Sequence, residues 1–475
     1  MLTEFRNSLQ SKNPTKSIRD GLIGEGLRYP GRYGEVPMVY ADYVASGRAL
    51  KQVEDFMLER VLPFYANPHT EASYCGSYVN KLREEAREEI SRITKAEGCA
   101  VIFTGSGATA GLSRLPALLG VEEAENPVVL LGPYEHHSNL LPWRESKALV
   151  IEIPEGEDGG PDLAALEETL KTHRDSDLLI GSFSAASNVT GILTDSDPVT
   201  RLVKAHGGVS VWDYAGGAPY LSIDMGTGTD AQKDVVVASS HKFPGGPGGS
   251  GIMILRKEVV RRQKPTQPGG GTVRFVSPWG HDYLEDIVAR EEAGTPNLSG
   301  DIRAALAFIV KDVIGQSTID ARERELNVMA KAGLAGLENL TILGVDYRRR
   351  LPIFSMLVRD GAGNIVNAEQ ITRDLSEVYG IQARGGCACA GPYGHRLLHV
   401  DEENSAELRC QILAGHDELK PGWVRLNFSY LMSDETVRYI IDSVRALVHS
   451  YAQKAPRLPA PELPDSAGVA LPRGA

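Results

Sequence analysis

Seven short aliphatic runs between residues 100 and 256 constrain this chain more than any other feature. They are AVIFT (100–104), PVVLLG (127–132), ALVIEI (148–153), DLLIGSF (177–183), GVSVWD (208–213), DVVVAS (234–239) and SGIMILR (250–256). Runs that are apolar throughout, rather than at every second position, fit strands covered on both faces. Helix-like stretches lie between several of them: one after SGATAG near 107, DLAALEETLKTH (162–173) and PVTRLVKAHG (198–207). Strands alternating with helices predict an α/β fold with a mostly parallel central sheet. The last runs stand closer together, joined by loops, so the winding need not be regular.

From about residue 300 the texture changes. IRAALAFIVKDVIG and ARERELNVMAKAGLAGLENL read as long amphipathic helices, LPIFSMLV (351–358) and WVRLNFSYL (423–431) as strands, and ETVRYIIDSVRALVHSYAQKA (435–455) as a closing helix. These elements predict a second, smaller α+β domain, and 475 residues are ample for two cores. The expected division is a large domain over 36–299 and a smaller one from 1–35 and 300–455. The tail 456–475, rich in Pro and polar residues, is expected to be disordered.

A net charge of −12 argues against a protein that coats nucleic acid. No run approaches the length of a membrane span, and MLTEFRNSLQSKNPTKS lacks the apolar core of a secretory signal. A cytoplasmic location is the expectation. Five cysteines, scattered and odd in number, are no disulfide scaffold, but Cys387 and Cys389 in ARGGCACAG stand together and ask for an explanation.

Chemistry concentrates where strand-like runs end, which is where open α/β sheets bind ligands. DVVVASSHKFPGGPGGSG delivers Ser239, Ser240, His241 and Lys242 at the end of a core strand. A lysine there can pair with an anion or act as an amine nucleophile; the bland alternative is an exposed residue on a Gly/Pro hairpin. Asp213 ends GVSVWD, where a carboxylate needs a cation or donors; it could hold a pyridine nitrogen protonated, ligate a metal or cap a helix. In FTGSGATAG, backbone N–H groups at Gly107, Ala108 and Thr109 suit a phosphate, although neither a phosphate-loop lysine nor a dinucleotide fingerprint accompanies them. His136 and His137 in EHHSN could stack on a ring, relay a proton or simply pack. A metal site is not expected, because no regular ligand series surrounds them. Asn188 in SNVTG could bond a ring hydroxyl.

Together these strand ends resemble the class V aminotransferases, a family of pyridoxal-phosphate (PLP) enzymes, and within it the cysteine desulfurases and selenocysteine lyases. SSHKFPGGPGGSG carries most of the resemblance; EHHSN, SNVTG, the Trp212–Asp213 pair, REEAGTPN and ARGGCACAGP follow in the family's order, over roughly residues 38–455. The resemblance implies an aspartate-aminotransferase-like large domain of fold type I. It implies that Lys242 holds PLP as a Schiff base and moves protons, that Asp213 bonds the pyridine nitrogen and Asn188 the ring hydroxyl, and that His136 stacks on the ring. Ala108, Thr109, Ser239 and His241 would hold the phosphate, and Thr295 the phosphate of a neighbouring subunit in a homodimer with shared active sites. Arg425 and Arg384 would bind the substrate carboxylate, and Cys389 would accept sulfur as a persulfide and pass it to an acceptor protein.

Two departures bear on the reaction. Gly216 stands where such desulfurases carry a glutamine, and the polar stretch 395–423 separates the cysteine loop from Arg425. The expected function is removal of sulfur or selenium from a cysteine-like amino acid, through Cys389 or by β-elimination; the alternative is transamination or epimerisation without sulfur transfer.

Overall fold

The computed structural model describes residues 1–68, 70–453 and 469–470. The chain divides into two compact units. The larger comprises Met1–Gly21, Ser46–Ala186 and Thr194–Gln316; the smaller comprises Leu22–Ala45, Ser187–Leu193 and Ser317–Ala475.

All seven apolar runs become strands of one sheet in the larger unit: β1 (Ala100–Gly105), β2 (Pro127–Leu131), β3 (Leu149–Glu152), β4 (Leu178–Ser184), β5 (Val209–Asp213), β6 (Val235–Ser239) and β7 (Gly251–Leu255). Their order is β1-β7-β6-β5-β4-β2-β3. Strands β3, β2, β4, β5 and β6 are parallel, and β7 runs antiparallel to both β6 and β1. The sheet is therefore mostly parallel, as expected, with one reversed strand. Every residue of β2, β4, β6 and β7 is buried, whereas β3 at the edge is half-exposed. Val129, Leu131, Ile180, Val211, Val237 and Met253 form a continuous apolar layer across it.

The helices of this unit include α1 (Leu2–Leu9), α2 (Tyr74–Ile93), α3 (Gly107–Leu112), α4 (Leu163–Thr172), α5 (Ser196–Ala205) and α6 (Leu298–Ile314). Helix α6 is buried nearly all round, which its run of Ala, Leu, Ile, Phe and Val permits. The Asn297 side chain caps it by accepting from Gly300 N (3.3 Å), and Gly315 at φ +86° ends it. Residues 1–21 were expected with the smaller domain. They belong to the larger unit, because Leu2, Phe5 and Leu9 line one face of α1 and are buried there, while Met1 N pairs with Glu85 Oε2 on α2.

The smaller unit holds a four-stranded antiparallel sheet of β8 (Leu340–Ile342), β9 (Ile353–Val358), β10 (Arg384–Gly386) and β11 (Trp423–Asn427), in the order β8-β9-β11-β10. Its helices are α7 (Gln316–Leu334), α8 (Ala368–Tyr379), α9 (Gly391–Leu397), α10 (Glu402–Leu413) and α11 (Asp434–Gln453). Phe354, Met356, Leu375, Val424, Leu426, Ile440 and Leu447 build its core. The polar stretch 395–423 is largely helical: α10 buries no side chain at all. The expected disordered tail lies outside the described residues except Val469–Ala470, which pair in parallel with Leu27–Arg28. No helix among the described residues is long and apolar enough to cross a membrane.

Candidate active site

In the larger unit, β6 ends at Ser239, and Ser240–Lys242 make one 3-10 turn. Phe243 anchors that turn in the core, its ring 4.7 Å from that of Phe308. The segment 46–48 braces it: Gly47 N donates to the His241 carbonyl (2.8 Å) and Gly245 N to the Arg48 carbonyl (2.7 Å). A Cβ on Gly47 would stand 1.9 Å from the Phe243 carbonyl oxygen, so only glycine allows this approach. Lys242 is thus held half-buried at a core strand end, its backbone fixed from both sides.

Asp213 ends the adjacent strand β5, is buried, and accepts from Ala215 N at 2.7 Å. Burial pushes its pKa up; the Ala215 N–H and the Lys242 ammonium pull it back down. A carboxylate so placed, with lone pairs to spare, suits a protonated ring nitrogen better than it suits an empty core.

The turn before α3 is built for close approach. Gly105 (φ +80°) and Gly107 (φ +63°) take left-handed backbone, and a Cβ on Gly107 would lie 2.9 Å from His241 Cε1 and 3.0 Å from Ser239 Oγ. Ala108, Ser239, His241 and Gly107 therefore converge, but not quite as expected. Ala108 N donates to Ser239 Oγ (2.9 Å), so that N–H is already used, and Ala108 reaches an anion only by orienting the hydroxyl. Ser239 accepts there and keeps its own hydrogen for donation. Burial, and next the Lys242 charge, lower the His241 pKa, which favours a neutral imidazole. Thr109 is exposed, its hydroxyl 2.7 Å from Ser138 Oγ. The Gly107 cradle and buried Asp213, with Lys242 in the turn after the next strand, fit the phosphate, ring nitrogen and aldehyde of PLP.

His136 precedes a short 3-10 turn and caps it, its Nδ1 accepting from Ser138 N at 3.1 Å. That turn hangs on Glu135, which sequence reasoning passed over. Buried Glu135 accepts from Ser184 N (2.8 Å), Ser184 Oγ (2.6 Å) and Asn139 Nδ2 (2.5 Å), tying the histidines to the end of β4. Burial drives its pKa from 4.5 up to about 7, against those hydrogen bonds, with the Asp213 charge adding a smaller push. A raised folded pKa means that the linked stability is complete below about pH 4.5 and is lost as pH rises through about 7. The stability of the parent relative to Glu135→Gln should therefore fall by up to ~3 kcal/mol over that range. Urea unfolding of the cofactor-free proteins across pH measures it, and a constant gap contradicts it.

Thr295 is exposed, its hydroxyl 3.4 Å from Asn67 Nδ2. The acids of REEAGTPN just before it are structural: Glu292 pairs with Arg83 and Arg87 and accepts from Phe103 N (2.8 Å), which fixes the end of β1.

The smaller unit gathers the remaining residues. Arg384 on β10 and Arg425 on β11 are directly paired in the antiparallel register, so their side chains share one face. Asp42 joins them, its Oδ2 3.0 Å from Arg384 Nε and its Oδ1 3.1 Å from Arg425 Nη2. Asp42 was not anticipated; nothing in YADYVASG marks an acid whose partners lie more than 340 positions away. Arg425 is buried and also donates to the Asn188 carbonyl (3.0 Å), while Arg384 is half-exposed. Asn188 itself donates from Nδ2 to the Ala388 carbonyl (2.7 Å), in the loop between the two cysteines. Cys387 and Cys389 are both exposed, and Cys389 takes φ +54°. Among the described residues no group of His, Cys, Asp and Glu could hold a metal ion.

Comparison with known proteins bears on all of this. The family model for class-V aminotransferases matches residues 39–439. A probable cysteine desulfurase of Pyrococcus abyssi is 31% identical over 307 residues, covering 63% of this chain and 74% of that protein. One from Halalkalibacterium halodurans is 27% identical over 361 residues, covering 75% and 85%. Among solved structures, an apo cysteine desulfurase of Thermococcus onnurineus superposes with a TM-score of 0.74 at 22% identity, over 93% of this chain and 99% of that one. The S-sulfonic acid form of an Escherichia coli cysteine desulfurase gives 0.69 at 21%, over 87% and 95%; at such identities the likeness is one of fold. The chain belongs to the class-V aminotransferase family, in its cysteine-desulfurase-like part.

Proposed function

We propose that the protein removes sulfur, or selenium, from cysteine or a cysteine-like amino acid with PLP held by Lys242. The observation that carries this reading is the grouping in the smaller unit: a thiol at Cys389 on the loop that leaves β10, with Arg384 and Arg425 side by side at the root of that loop. A carboxylate clamp and a sulfur acceptor on one strand pair suit an amino acid whose side chain ends in sulfur or selenium.

Bound PLP supplies an aldehyde carbon for an amine and a ring that draws electrons from the substrate α-carbon. The Lys242 amine anchors it, then takes the α-proton and returns it. Asp213 keeps a proton on the ring nitrogen, and His136 stacks on the ring. Ser239 Oγ, His241 and Thr109 hold the phosphate, with Ala108 N orienting Ser239. Asn188 has a second amide hydrogen beyond the one given to Ala388, and that hydrogen suits the ring hydroxyl. Arg425 and Arg384 orient the substrate carboxylate, which competes with Asp42 for them. The Cys389 thiolate attacks the substrate sulfur; the carbon–sulfur bond breaks, its electron pair stays with the carbon fragment, and Cys389 carries the persulfide.

The family resemblance further supports a cytoplasmic homodimer in which Thr295 reaches the phosphate of the other subunit, and a protein acceptor for the sulfur. The test of the reaction is Cys389→Ala. Sulfide released from cysteine in the presence of reductant should fall by about 100-fold or more, while the yellow cofactor absorbance stays. Full turnover in that variant would replace the persulfide route with direct elimination. Amino-acid formation from added keto acid would point to transamination instead.

A further inference from the structure

Cys387 is a second thiol beside the sulfur acceptor that the chemistry above leaves idle. Cys387 and Cys389 are exposed, whereas Ala388 and Ala390, alternating with them, are 7% and 0% exposed. That alternation turns both sulfurs to the open side of the loop. The residue between them is tethered through its carbonyl to Asn188 Nδ2 (2.7 Å), so the loop is held from within while its thiols face outward. Gly386 before the pair (φ +97°) and the left-handed Cys389 (φ +54°) bend the chain on either side. One intervening residue keeps the two Cα atoms within about 7 Å. Disulfides need Cα atoms roughly 4.4–6.8 Å apart and Cβ atoms about 3.5–4.5 Å apart, so the bridge closes when the loop bends between the two residues.

We infer that Cys387 is a resolving thiol, which frees the sulfur carried by Cys389 as hydrosulfide. The inference rests on the persulfide reading of Cys389. The Cys387 thiolate attacks the inner sulfur, the one bonded to the Cys389 Cβ. The bond to the outer sulfur breaks, hydrosulfide leaves with its electron pair, and a Cys387–Cys389 disulfide forms. Two thiols are oxidised as the outer sulfur is reduced, so the step needs no external oxidant. A small thiol or dithiol reductant then restores both cysteines, contributing the two electrons and two protons. The site so built can discharge sulfur as free sulfide when no protein acceptor takes it, and then needs a thiol reductant for each further cycle.

The test uses the PLP-loaded protein under anaerobic conditions, with less than one equivalent of cysteine and no added reductant. Sulfide is measured, and the peptide bearing residues 387–389 is read by mass spectrometry. The parent should release sulfide in step with the cysteine consumed and end with the Cys387–Cys389 disulfide. In Cys387→Ser and Cys387→Ala the persulfide should remain on Cys389, with sulfide appearing only when dithiothreitol is added. A persulfide that stays on Cys389 in the parent as well, or one found on Cys387, overturns the resolving role and leaves the persulfide reading intact. Sulfide release from Cys389→Ser equal to the parent's removes the persulfide reading itself, and the resolving role with it. A readout without cofactor is also available: glutathione redox buffers should drive the apo-protein to an internal 387–389 bridge. Separate glutathione adducts on the two thiols, with no bridge, would count against it.

Discussion

Lys242→Ala should abolish the yellow cofactor absorbance and cut turnover by about 10⁴-fold or more, roughly 5 kcal/mol of lost transition-state stabilisation. The same change should leave the cofactor-free protein folded, with a modest fall in melting temperature because Lys242 offsets part of the cost of the buried Asp213 carboxylate. The turn that carries Lys242 is fixed without its side chain, because Phe243 stacks on Phe308, and Gly47 N and Gly245 N hold the backbone. Loss of function without loss of fold separates an amine that does chemistry from a lysine that only neutralises a nearby acid. Absorbance and turnover surviving in the variant would mean that another amine holds the cofactor.

Asp213→Asn should lower turnover by about 10³-fold, ~4 kcal/mol, with PLP still bound. Asparagine fills the same space and can still accept from Ala215 N, but it brings no charge to the ring nitrogen. The sign of its effect on stability is the opposite. The Asp213 pKa is raised chiefly by burial, so near neutral pH the folded protein bears the cost of a desolvated carboxylate, offset in part by Lys242. Stability linked to that shift is present below the ordinary Asp pKa and is lost as pH rises through the folded value. Removing the charge should raise the melting temperature of the apo-protein by ~1–3 °C near neutral pH, and by less under acid conditions. A variant at once slower and more stable identifies Asp213 as a residue kept for function at the expense of the fold. If the melting temperature falls instead, the carboxylate is serving the core.

The large sheet was legible because its central strands are buried on both faces and so nearly continuously apolar, as in VVVA and GIMIL. The lysine and the aspartate stood out because Asp213 ends such a run and Lys242 follows one by three residues. Strand β10 was not legible: Arg384–Gly386 is two glycines and a charge, and its pairing is set by β11, not by any pattern of its own. Helix α10 hid for the opposite reason, since a helix that buries nothing has no apolar period to read. The twenty residues of α2 do carry one, in Val79, Leu82, Ala86 and Ile90, but it is diluted by arginines and glutamates that make ion pairs with distant segments. Asp42 and Glu135 were missed because their partners are remote or are backbone groups. The partner Asn188 has in the structure, the Ala388 carbonyl in the cysteine loop, was likewise not legible in SNVTG. A motif names a residue, whereas its partners are set by the tertiary fold.

Borohydride reduction of the PLP-loaded protein, followed by peptide mapping, identifies the amine that holds the cofactor. The reduced cofactor should be found on the peptide containing Lys242, with the labelling lost in Lys242→Ala. A label on a different lysine, or no covalent label in a protein that turns over cysteine, would contradict it.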